Sequence, residues 1–146
     1  MAIRRLAPAD EPRWRALWGD YLTFYRAALP EEITALTWAR LMEPAEPLIG
    51  WGACDASDQL IAFALCLRHR STWAREGYFY LEDLYTAPEA RGQGAARALI
   101  EAAYAYADAE GLSRVYWVTE HANTRAQALY DQIARRAPFM QYRREG

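Results

Sequence analysis

A chain of 146 residues is long enough for one domain with a respectable core and too short for two, so residues 1–146 are expected to form a single domain. About half the residues are apolar and a quarter charged, and a net charge of −2 argues against nucleic-acid binding driven by bulk charge. All 17 basic residues are arginine, which rules out a Walker-type phosphate loop and Schiff-base lysine chemistry, and no apolar run approaches the roughly 18 residues that span a membrane.

In chain order, residues 2–7 (AIRRLA) read as a first strand. Residues 8–29 follow as a helix: Trp14, Leu17, Trp18, Tyr21, Leu22 and Tyr25 fall at helical spacing, and Asp10 is placed to cap its start. Pro30 breaks it, and residues 31–42 read as a second helix ending before Pro44. Residues 47–55 and 59–70 form a predicted hairpin turning at Ala56-Ser57-Asp58, and residues 77–87 (GYFYLEDLYTA) form a third clear strand ended by Pro88. An alanine-rich helix follows over 91–111, with Gly111 as its left-handed stop. Residues 114–120 read as a strand, 123–136 as a helix capped by Asn123, and 138–145 (PFMQYRRE) as a last strand. The order β-α-α-β-β-β-α-β-α-β argues an α/β fold: a mixed central sheet of about six to seven strands with helices on both faces. Cys54 and Cys66 share no metal-ligand spacing with the histidines, and the N-terminus has no apolar run after its arginines, so a reduced, cytoplasmic protein without metal is expected.

Two glycines, Gly92 and Gly94, sit where the third helix begins, although glycine is a poor helix former. A strand, a short turn and a glycine-rich helix start together make an anion site. First-turn amides have no intrahelical acceptor, the helix dipole favours negative charge there, and glycines let a phosphate approach the backbone. Arg91 and Arg97 can add charge-assisted hydrogen bonds. The competing explanation is that the glycines only permit close packing. A dinucleotide-binding fingerprint fits poorly, because Arg97 stands at its third glycine and several strands precede the loop.

The segment LEDLYTAPEARGQGAARALI resembles the acetyl-CoA-binding segment of the GNAT family of N-acetyltransferases: a strand, a proline, then Arg/Gln-x-x-Gly-x-Gly/Ala opening a helix. Arg91, Gly94 and Ala96 fill that pattern. Downstream, NTRAQALYDQIARRAPF resembles the family's second segment, with Asn123 and Tyr130, although Ala137-Pro138-Phe139 stands where the family usually has Gly-Phe. YLEDLY, with the HRSTW approach to it, looks most like the small-amine (polyamine and thialysine) enzymes and the yeast histone/polyamine type.

The resemblance implies an acetyl-CoA-dependent N-acetyltransferase fold across 1–146, acting on a small primary amine by direct attack in a ternary complex. Alternatives are a protein lysine or N-terminal acetyltransferase, or a noncatalytic acyl-CoA-binding module. It implies pyrophosphate on the amides of Gly92, Gln93, Gly94, Ala95, Ala96 and Arg97, with Arg91 and Arg97 assisting. The pantetheine arm would pair with the backbone of Leu84, Tyr85 and Thr86, with Asn123 touching one of its amides. An amine of pKa about 10 must lose a proton before it attacks. Glu82 matches the position of the proposed base, with Asp83 or a water chain as alternatives; strand alternation puts the two carboxylates on opposite faces. A backbone N–H near Leu84 would stabilise the oxyanion, and Tyr130 would protonate the departing thiolate. Tyr25, Trp73 and Asp83 are the expected acceptor contacts, with Tyr21, Phe24, Glu31 and Glu32 as further candidates from the aromatic and acidic first half, and His69 is read as a loop histidine. The expected partners are therefore a small amine, with neither nucleic acid nor membrane, and a second copy of the chain in a homodimer.

Overall fold

The computed structural model describes residues 1–146. Strands β1 (Ala2–Arg5), β2 (Leu48–Cys54), β3 (Leu60–His69), β4 (Tyr78–Thr86) and β5 (Val115–Tyr116) make one sheet in sequential order. The first four are antiparallel neighbours, and β5 lies parallel to β4. Helices α1 (Glu11–Phe24) and α2 (Glu31–Leu41) join β1 to β2, α3 (Ala95–Glu110) joins β4 to β5, and α4 (Thr124–Ile133) follows β5. No helix is long and apolar enough to cross a membrane.

The two sheet faces bury different aromatic sets. On one, Trp14 of α1 stacks on Trp18 at 5.3 Å and meets Trp38 of α2 at 5.1 Å, and Tyr21 sets its edge on Phe63 at 5.8 Å. On the other, Tyr106 of α3 packs on Phe79 at 4.9 Å and Trp51 at 5.5 Å. Helix α4 lies beside α3, where the Tyr104 hydroxyl donates to the Ile133 carbonyl at 2.9 Å. Such ring contacts add about 0.5–1.5 kcal/mol each to the burial itself.

Two expected caps do other work. Asp10 stands at the start of α1, but its carboxylate accepts from the Ala7 N–H at 2.7 Å and from both terminal nitrogens of Arg4, tying β1 to the helix. Asn123 opens α4 without capping it; its amide donates to the Thr119 hydroxyl at 3.3 Å. Gly111 does close α3 in the left-handed region, at φ 70°.

The expected six to seven strands reduce to five. β5 pairs for two residues only, and residues 138–145 form no strand. Pro138 brings no N–H to a ladder, and Arg136 folds back onto Asp131 of α4 at 2.8 Å. Phe139, Met140 and Tyr142 are consequently exposed.

Candidate active site

β4 decides the site's geometry through one irregularity. Asp83 opposes Leu65 and Leu81 opposes Cys66, so Glu82 is an extra residue with no partner on β3. This bulge inverts the alternation along the strand. Before it, Phe79 faces α3; after it, Tyr85 faces α1, its ring 5.9 Å from Tyr21. Asp83 joins that face, accepting a 2.8 Å hydrogen bond from the Tyr21 hydroxyl. Glu82 and Asp83 therefore do not point to opposite faces, as strand alternation had suggested. Both line one cavity of about 600 Å³ under α1 and α2, with Trp18, Tyr21 and Tyr25.

The two carboxylates have different surroundings. Glu82 is exposed at the cavity. Burial pushes Asp83 up to about 7, and the Glu82 charge adds to this against the opposing hydrogen bond from Tyr21. An aspartate held near neutrality can both take and release a proton at physiological pH.

The bulge also re-aims the backbone. The Phe79 N–H donates toward β5, to Arg114, whereas the Ala87 N–H donates to Ile61 of β3. Working back from Ala87, alternation sends the N–H of Tyr85 to β3 and those of Leu84 and Thr86 to the opposite edge. That edge is open, because β5 leaves β4 after Tyr80. A strand-like arm can lie along it, and the Leu84 N–H is available to an oxyanion there.

At the end of β4, residues Pro88–Ala90 make a 3-10 turn leading to the glycine loop. Gly92 and Gly94 take φ 82° and 83°, and a Cβ on either would meet no heavy atom within 4 Å. Close packing is thus excluded as their purpose; they carry a left-handed backbone that leaves open space above the first turn of α3. The loop fits an anionic group on the amides of Ala95, Ala96 and Arg97. Arg91 reaches back to the Thr86 carbonyl at 3.4 Å and lies over Tyr85 and Phe24, while Arg97 is held by Glu101 at 3.2 Å and Gln132 at 3.3 Å.

Tyr130 sits on α4 with its ring against Trp117, 5.3 Å between centroids. Burial, with a smaller contribution from Tyr25, pushes its phenol up to about 12. Tyr25 is itself raised by burial, then by Glu120 and Asp83. Tyr25 lines the acceptor cavity, whereas Tyr130 lines a separate cavity of about 280 Å³ with Trp117, Thr119 and Gln127; the influence of Tyr25 on the Tyr130 phenol is what links the two. Trp73 does not join them: it is 86% exposed in the loop after β3 and lines neither cavity. His69, from the same end of β3, shares a 2.7 Å hydrogen bond with the Tyr116 hydroxyl. Tyr21 as the partner of Asp83 was visible in the sequence only as a groove candidate, since the contact spans 62 residues. Arg40, which also lines the cavity, gave no signal.

Comparison with known proteins gives the family. A D-amino-acid N-acetyltransferase of Saccharomyces cerevisiae is 38% identical over all of this chain and 91% of its own length. An uncharacterized N-acetyltransferase of Bacillus subtilis is 29% identical over 90% of this chain and 87% of its own. Among solved structures, AAC(6')-Iy in complex with a CoA-based bisubstrate analogue superposes with a TM-score of 0.84 at 20% identity, covering 99% of this chain and 97% of its own. A probable acetyltransferase reaches 0.86 at 23% identity, with 99% and 97% covered. Residues 12–134, the stretch from α1 to the end of α4, match the acetyltransferase (GNAT) family: the chain belongs to the acetyltransferase (GNAT) family.

Proposed function

We propose that residues 1–146 act as one N-acetyltransferase domain that transfers an acetyl group from acetyl-CoA to the primary amine of a small, amino-acid-like molecule, with both substrates bound at once. Acetyl-CoA is the acyl donor of this family and supplies an activated thioester carbonyl; the chain supplies everything else.

The amides of Ala95, Ala96 and Arg97 receive the pyrophosphate across the space that Gly92 and Gly94 leave open. The outward edge of β4 at Leu84 and Thr86 receives the extended arm, and the Leu84 N–H donates to the carbonyl oxygen as negative charge grows on it. Glu82 attracts the acceptor ammonium. Asp83, oriented by Tyr21, takes its proton, and the free amine attacks the carbonyl carbon. Tyr130 gives its phenolic proton to the sulfur as the carbon–sulfur bond breaks, and the second proton shed by the nitrogen returns the phenoxide to phenol, so thiol and amide leave neutral and Asp83 releases the first proton to water. Asp83, and not Glu82, is given the base role because it is the carboxylate held near 7.

The observation that supports this reading best is the bulge in β4, which turns Asp83 to the Tyr21 hydroxyl at 2.8 Å in the cavity that Glu82 also lines. The yeast relative's activity toward D-amino acids supports an amino-acid-like acceptor. The test is thiol release from acetyl-CoA against D- and L-amino acids, diamines and a lysine peptide. Turnover of free amino acids or amines supports the reading. Turnover of the peptide alone moves the acceptor to proteins, and acetyl-CoA binding without turnover leaves a noncatalytic binding module. A homodimer and a cytoplasmic setting belong to the same proposal. The first rests on exposed Phe139, Met140 and Tyr142 and is checked by sedimentation; the second rests on unpaired Cys54 and Cys66 and is checked by fractionation.

A further inference from the structure

We propose that Arg40 is the specificity residue of the acceptor cavity and binds the carboxylate of an amino-acid substrate; this rests on the acetyltransferase reading above. The cavity's ionisable wall is unevenly divided. Glu82 and Asp83 stand on β4, Glu46 lies in the loop before β2, and Arg40, on the last turn of α2, is the one cation. Arg40 is exposed and, like nine other arginines, forms no ion pair, but it alone of these lines the cavity. Its guanidinium is free to take a planar carboxylate through two parallel hydrogen bonds.

Helix α2, which carries Arg40, packs over β2, and Glu82 and Asp83 stand two strands away on β4, so the cation and the carboxylates face the cavity from separate elements. An α-amino acid carries the two opposite charges that such a wall would receive. Its ammonium would lie at Asp83 and Glu82, its carboxylate at Arg40, and its side chain among Trp18, Tyr21 and Tyr25. The larger cavity, about 940 Å³, shares Glu46, Pro47 and Leu48 with this one but lacks Glu82 and Asp83 and carries three arginines, Arg5, Arg68 and Arg70. There Arg68 is already paired with Glu110 at 2.8 Å, and Arg5 lies over Trp51.

The test compares phenylalanine, as both enantiomers, with 2-phenylethylamine, the same amine without its carboxylate. Wild-type enzyme should show a KM for one phenylalanine enantiomer about tenfold or more below that for 2-phenylethylamine. Arg40→Gln should raise the phenylalanine KM by about tenfold or more, with kcat and the 2-phenylethylamine KM unchanged. Arg40→Lys, a point charge without the fork, should recover part of the loss. An Arg40→Gln enzyme with unaltered phenylalanine KM, or with both KM values raised alike, overturns the proposal. Turnover of 2-phenylethylamine alone by wild type overturns it too, and leaves the acetyltransferase reading standing. Turnover of neither removes both.

Discussion

Replacing Asp83 by Asn keeps the shape of the side chain and removes its capacity to accept a proton. At pH 7 an amine of pKa about 10 is neutral in roughly one molecule in a thousand, so a base that acts on the ammonium has much to contribute. A positioned general base typically contributes about 10²–10⁴-fold, and kcat/KM in Asp83→Asn should fall by at least about 100-fold. The pH profile gives the sharper readout. Asp83 ionises near 7, so wild-type kcat/KM should fall as pH drops through about 7, and this limb should be absent in Asp83→Asn. Stability supplies a second check with an opposite sense. Between about 4 and 7 the folded protein keeps a proton on Asp83 that the unfolded chain has lost, so wild-type stability should fall as pH rises through that window. Three pH units correspond to at most about 4 kcal/mol. Asp83→Asn should therefore gain in Tm relative to wild type from pH 4 to pH 8 while losing activity. An acid limb that survives in Asp83→Asn and disappears in Glu82→Gln would refute the assignment and return the base role to Glu82.

Tyr130→Phe should lower kcat by about tenfold or more with little change in acetyl-CoA affinity measured by calorimetry; an unchanged kcat, with chemistry limiting turnover, removes Tyr130 as proton donor. At Gly94 the backbone is left-handed and the space is open, so Gly94→Asn should retain more thermal stability than Gly94→Val, by about 1 kcal/mol in denaturant melts. Asp10→Asn should cost about 1–2 kcal/mol at pH 7. Because Arg4 holds the Asp10 carboxyl below its ordinary range, that cost should vanish as pH falls through the folded-state value, read from urea melts at pH 7 and pH 2.5.

The order of elements as far as α4, the hairpin and the glycine loop are legible in the sequence because each rests on local chemistry. Periodic Trp14, Leu17, Trp18 and Tyr21 make α1, Pro88 ends β4, and Gly111 stops α3. What the sequence misled about depends on partners. Asp10 would cap α1 by residue type, but Arg4 across the strand competes for its carboxylate and wins with two hydrogen bonds. Residues 138–145 have strand composition, yet a strand needs a neighbour, and β5 offers a ladder only two residues long. Trp73 belongs to an aromatic-rich stretch, but β3 carries it to the end of the sheet away from the glycine loop. The relation of Glu82 to Asp83 is the most consequential case. Alternation is a rule about regular strands, and nothing in YLEDLY reveals that β3 skips one of its residues.

That skipped residue unites features that would otherwise require separate explanations. In a regular β4, Asp83 would share the face of Phe79 and point at α3, out of reach of Tyr21, and it would share no cavity with Glu82. The same parity would turn the Leu84 N–H toward β3, where it would be spent in the ladder, and leave the open edge to its neighbours. With Glu82 left out of the ladder, both carboxylates face the acceptor side and one unspent donor faces the cofactor side of the same strand. Deleting Glu82 would make Leu81 and Asp83 neighbours in a regular strand, which keeps Asp83 toward Tyr21 and the Leu84 N–H on the open edge, so activity should fall no further than in Glu82→Gln. A deletion variant that folds and binds acetyl-CoA but loses far more activity than Glu82→Gln would refute this account of the strand's phase.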